Sequence, residues 1–119
     1  MNATQTVLSS PDLFQGKSQT VQDLYQTLCD RLNQLGPFQE RIKALSVSFE
    51  NRKRFASALI RDRSIKLILR TNHKITSPRI SNREQVAANS YDHTVLISST
   101  RDIDTELMEW LGDAYHAGK

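Results

Sequence analysis

The stretch that decides the fold runs from Leu45 to Arg70 and reads LSVSFENRKRFASALIRDRSIKLILR. Leu45, Val47 and Phe49 alternate with Ser46, Ser48 and Glu50, which is the period of a half-buried strand. Glu50-Asn51-Arg52 supplies a polar turn, and Phe55 to Ile60 reads as a second strand. Arg61-Asp62-Arg63-Ser64 is a second polar turn. Ile65, Leu67 and Leu69, alternating with Lys66, Ile68 and Arg70, make a third strand. Turns this short favour an antiparallel meander, because a parallel pair needs a long crossover.

Helical periods lie on either side of the meander. Upstream, Val21, Leu24, Tyr25, Leu28 and Leu32 recur at three- and four-residue spacing and form one stripe of a helix. Ser18 or Thr20 can cap its first turn, and Gly36-Pro37 stops it. Downstream, Ile103, Leu107, Trp110, Ala114 and Ala117 form a second stripe, flanked by Leu111 and Tyr115, and Gly118 ends it. Ser99 or Thr100 caps this helix, and Asp102 and Asp104 sit where its dipole favours anions.

Residues 71–92 are polar and contain Pro78, so they read as a long loop with a short helical turn near Asn82–Ala88. Such loops are uncommon in compact domains and often functional. His93 to Ser98 then forms a last strand, with His93, Val95 and Ile97 on one face. The expected fold is therefore α+β. It has an antiparallel sheet of about four strands: a three-strand meander, a long loop and a fourth strand. An N-terminal and a C-terminal helix pack on one face. One domain spans residues 1–119, with 1–12 as a loose N-terminal arm.

Composition narrows the chemistry. The single cysteine, Cys29, cannot form an internal disulfide, and its place at the edge of the first helix's stripe marks it as a packing residue. His73, His93 and His116 are too far apart in sequence to give a zinc-ligand pair, and neither a phosphate-cradling glycine motif nor a serine-nucleophile elbow is present. No cofactor, metal site or catalytic residue is assigned. The first residues lack a basic region followed by an apolar one, and no apolar run approaches the ~20 residues of a membrane span. A cytoplasmic protein making no membrane contact is the expectation.

The net charge of +3 is unevenly distributed. Residues 41–83 hold twelve lysines and arginines against only Glu50 and Asp62, and both flanks are net acidic. Such asymmetry marks either an anion-binding face or a basic sheet flanked by acidic helices. The few aromatic residues in the basic stretch, Phe49 and Phe55, fall at core positions and are not placed to stack bases.

Three residues stand out as ligand contacts. Arg54 follows the first turn of the basic stretch. Arg79 leaves a backbone stiffened by Pro78 and suits bidentate binding of phosphate or carboxylate; the plainer reading pairs it with Glu84 or an acid of the second helix. His93 lies on the core side of the last strand, where it either bonds a buried backbone group or lines a pocket.

Several short segments in order carry a family resemblance. They are Phe14-Gln15-Gly16-Lys17, Leu35-Gly36-Pro37, Ser48-Phe49, Arg54-Phe55-Ala56, Ser77-Pro78-Arg79-Ile80, Tyr91-Asp92-His93, Asp102-Ile103-Asp104, Trp110-Leu111 and Ala114-Tyr115. Together the chain resembles DUF 5655, a bacterial and archaeal domain family of unknown function, some of whose relatives carry the label "predicted transport protein". The resemblance covers about residues 12–117. It implies a small α+β domain with no established activity, substrate or catalytic residue. Arg54, Arg79 and His93 all fall inside the matching segments.

The expected function is a non-enzymatic binding or accessory module that holds an anionic small molecule or nucleic acid on a basic sheet and loop face, through Arg54, Arg79 and His93. Two alternatives are an enzyme using His93 and Arg79 in one pocket, and a protein-interaction module using the 71–92 loop.

Overall fold

The computed structural model describes residues 17–44 and 46–117. Helix α1 (Gln19–Asn33) is followed by six strands: β1 (Gln39–Lys43), β2 (Ser46–Asn51), β3 (Lys53–Ile60), β4 (Ile65–Thr71), β5 (Ile80–Ala87) and β6 (Ser90–Ile97). A 3-10 turn (Thr100–Asp102) and helix α2 (Thr105–Ala117) complete the chain. The strands form one antiparallel sheet in the order β1-β2-β3-β4-β6-β5.

The α+β class and the central meander stand as the periodicity dictates, but the sheet has six strands where four were expected. Both additional strands lie at the sheet edges. β1 carries Gln39, Arg41 and Lys43 on its exposed face and has β2 as its only strand neighbour among the described residues. β5 is exposed along almost its whole length, so no apolar alternation reveals it. The helical turn expected at Asn82–Ala88 is overturned, because that segment pairs with β6 from Ile80 to Ala87. Half-buried hydrophobic patterning is the usual strand signal, and an edge strand with little buried surface need not carry it.

The core lies between the sheet and the helices. Val47 and Phe49, Ala56, Ala58 and Ile60, Ile65, Leu67 and Leu69, and Val95 and Ile97 meet the buried stripes of both helices in one cluster. Phe49 is its aromatic hub, with ring centroids of Phe38, Tyr25 and Phe55 at 5.8, 6.2 and 6.5 Å. Tyr115 of α2 joins edge-on to Phe55 at 5.2 Å. The core roles expected of Phe49, Phe55 and Cys29 therefore hold.

Ser18, of the two capping candidates, accepts the Val21 amide at the start of α1. The second helix starts later than its stripe implied. Ser99 and Asp102 form a reciprocal capping box that closes a 3-10 turn, and the backbone leaves helical geometry at Ile103. Asp104 then accepts the Leu107 amide at 3.0 Å and opens α2. This restart rotates the buried face: Leu107, Leu111, Ala114 and Tyr115 are buried, Trp110 is half-buried and Ala117 is exposed. Leu45, Gly118 and the proposed arm at 1–12 lie outside the described residues.

Candidate functional site

A local irregularity in the β2–β3 hairpin shapes the candidate site. The tight turn places Arg52 at a φ of 71°, and the register shifts between Phe49 and Glu50. Phe49 opposes Ala56 while Glu50 opposes Arg54, which leaves Phe55 as the extra residue of a bulge. A bulge re-aims the side chains around it. Phe55 enters the core, and Arg54 reaches across β4 toward Asp92 on β6.

A cleft of about 400 Å³ opens there, lined by Lys53, Arg54, Arg70, Thr71, Asn72, Asn89, Ser90, Ala114 and Ala117. It is bounded by the start of β3, the end of β4, the β5–β6 turn and the last turns of α2. Arg70 is fixed by Asp92 through a two-pronged contact, Nε to Oδ1 at 2.8 Å and Nη2 to Oδ2 at 3.1 Å. That bond is the main cause raising the Arg70 pKa. Arg54 Nη2 stands 3.9 Å from the same carboxylate, beyond hydrogen-bond length, and its side chain is 41% exposed. Among the described residues no hydrogen bond engages the five guanidinium donors of Arg54 or three of those of Arg70, and Lys53 lines the same cleft.

Arg79 and His93 are not among the residues lining this cleft. Arg79 is bound to the start of α2. Its Nη1 meets Asp104 at 2.9 Å and Glu106 at 3.0 Å, its Nη2 donates to the Asp102 carbonyl at 2.6 Å, and its guanidinium lies 5.6 Å from the Trp110 ring centre. The amide of Leu107 and the Arg79 charge hold the Asp104 carboxyl below its usual range. The plainer reading, Arg79 paired with acids of the second helix, is the arrangement found.

His93 is completely buried, as its strand parity required. Its Nε2 accepts the Ile75 amide at 3.0 Å, which places the proton of the neutral ring on Nδ1. Burial lowers its pKa, the Leu69 backbone opposes that shift, and the Arg83 charge reinforces it. Arg83 Nη1 also donates to the Ile75 carbonyl. His93 and Arg83 thereby fasten the crossover that carries the chain from β4 to the outer strand β5, with Ile75 as its buried plug.

A second titratable cluster joins α1 to β1. Tyr25 Oη donates to Glu40 Oε2 at 2.7 Å, Cys29 Sγ lies 3.5 Å from the same oxygen, and Glu40 Oε1 is buried with no hydrogen-bond partner among the described residues. Burial raises the Glu40 pKa, and the Tyr25 and Cys29 hydrogen bonds oppose the shift. Burial also raises the Cys29 thiol pKa, so this cysteine is a poor nucleophile at neutral pH. A carboxyl whose pKa is raised in the folded state favours folding below its unfolded value, and that contribution is lost as pH rises through the folded value. Glu40→Gln is therefore expected to melt higher relative to the native protein as pH rises from about 4 to 7. Paired thermal melts across that range check it, and a constant difference would contradict the linkage.

The family model described as a domain of unknown function (DUF5655) matches residues 11–118. The chain belongs to this family. Its core, its bulged hairpin and its cleft all fall inside the DUF5655 match. No curated protein and no solved structure matches the chain. No helix among the described residues is long and apolar enough to cross a membrane, and no group of three or more His, Cys, Asp or Glu side chains among them could hold a metal ion.

The site residues read from sequence divide by position. Arg54 lines the cleft, whereas Arg79 and His93 fasten loops elsewhere. Sequence reading did not single out Lys53, Arg70, Asn72, Asn89 or Ser90. Lys53 adjoins Arg54 and Arg70 sits on a recognised strand, so the charge pattern contained both. The two asparagines and the serine carried no comparable signal.

Proposed function

We propose that this DUF5655 domain is a non-enzymatic binding module for an anionic ligand, and that the ligand sits in the cleft beside Lys53, Arg54 and Arg70. One observation carries the reading. Three cations from two strands converge on a concave site, and Asp92 orients Arg70 there without engaging the remaining donors. Preorganised guanidinium groups suit phosphate and carboxylate, because their planar forks match the oxygen spacing. The cleft volume lies at the low end of the range typical for small-molecule sites, about 300–1,000 Å³.

A binding titration at low salt with ribose 5-phosphate and with citrate tests the proposal. The double substitution of Lys53→Gln and Arg54→Gln is expected to weaken whichever anion binds by about tenfold or more, since each removes a charge-assisted contact. Replacing Arg61 and Arg63, which lie at the far end of β3, with Gln is expected to change affinity less than about twofold. Equal losses from both pairs would point to general charge attraction and sink the assignment to the cleft.

A further inference from the structure

The cleft chemistry favours one kind of anion over another. We infer that its ligand is a small phosphate monoester with a hydroxyl-bearing body, such as a sugar phosphate, and not a nucleic-acid strand. This rests on the cleft being the anion site.

The cationic side of the cleft suits a single tetrahedral dianion. Lys53 and Arg54 are exposed and Arg70 is held in place by Asp92. The same lining also holds neutral hydrogen-bonding side chains, Asn72, Asn89 and Ser90. Amides and hydroxyls both donate and accept, so they match the hydroxyl groups of a polyol. The small side chains of Ala114 and Ala117 leave room for such a body against α2. A bare phosphate would leave most of the 400 Å³ unfilled.

Two observations disfavour a strand of nucleic acid. None of the described residues lining the cleft is aromatic, so a base gains no stacking surface. Acids neighbour the lining residues: Asp113 precedes Ala114 and lies 3.7 Å from His73, which follows Asn72, and exposed Glu84 pairs across the ladder with Asp92, the partner of Arg70. A polyanion running out of the cleft would meet these like charges, which is costly.

Calorimetric titrations of the full chain at one low salt concentration distinguish the cases. The probes are inorganic phosphate, ribose 5-phosphate and oligothymidylate of about ten nucleotides. Ribose 5-phosphate is expected to bind about tenfold tighter than inorganic phosphate, the gain of one or two added neutral hydrogen bonds. Oligothymidylate is expected to bind no tighter than ribose 5-phosphate. Asn89→Ala lies on a turn whose backbone avoids the left-handed region, so alanine adds no backbone strain there. It is expected to bring ribose 5-phosphate down toward the affinity of phosphate, so that the two small anions bind alike. Equal affinity for the two small anions, an unaffected Asn89→Ala variant, or tighter oligothymidylate binding would each overturn the inference while leaving an anion site in the cleft. Binding by none of the probes would overturn the phosphate ligand, and if citrate also failed to bind, the anion site with it.

Discussion

Replacing Gly36 with alanine is expected to destabilise the fold by about 3 kcal/mol, because backbone strain and a steric clash fall on one residue. Gly36 has a φ of +140°, a region that side-chain-bearing residues rarely adopt. A Cβ there would stand 2.5 Å from the Tyr115 hydroxyl. That hydroxyl is not free to withdraw, since it donates to the Pro37 carbonyl at 2.8 Å and its ring is packed edge-on against Phe55. The contact joins the end of α1 to the last turns of α2. Tyr115→Phe alone is expected to cost about 1 kcal/mol, the value of a hydrogen bond. Combined with Gly36→Ala, it removes the atom that clashes, so the pair should cost less than the sum of the singles. Urea denaturation of the four proteins measures this coupling. Additive losses would show that strain at Gly36 acts through its backbone alone.

Arg79→Ala is expected to cost about 2 kcal/mol, and the loss should persist at high salt. The ion pairs with Asp104 and Glu106 are partly exposed and contribute at most about 1 kcal/mol each, less when screened. The salt-resistant part comes from the bond to the Asp102 carbonyl and from the guanidinium lying over Trp110. Arg79→Lys keeps the charge but not the planar fork, so it should recover only part of the loss. Denaturation at low and high salt separates the contributions. A full recovery by lysine, or a loss that vanishes in salt, would reduce Arg79 to a simple surface charge.

The two arginines and the histidine raised by the sequence show where pattern reading succeeds. Strand parity put His93 inward, because a side chain opposite Leu69 on the core face has no other direction. Pro78 marks Arg79 as ordered, and of the two partners its plainer reading offers, Glu84 or an acid of α2, the α2 acids are the ones it meets. Whether the three would meet was beyond the sequence, since it depends on strand order. The chain crosses from β4 past β6 to an outer strand whose polar residues gave no period. That unseen crossover places Asn89 and Ser90 at the cleft. The bulge at Phe55 was equally hidden: alternation alone turns every second residue inward, whereas Phe55 and Ala56 are both buried. Without the bulge, the position of Arg54 beside Arg70 and Asp92 could not be read. At the edge strands the reason is simpler. β1 and β5 bury few side chains, so selection for a core left little imprint on them.

The central claim is that this basic domain concentrates its anion binding in one cleft. Amide chemical-shift mapping during titration with ribose 5-phosphate tests it most directly. Saturable shifts centred on Lys53, Arg54, Arg70, Asn72, Asn89 and Ser90 are the predicted result. Shifts centred instead on Lys43, Arg61 and Arg63 at the opposite end of the sheet, or no saturable shifts at all, would contradict it.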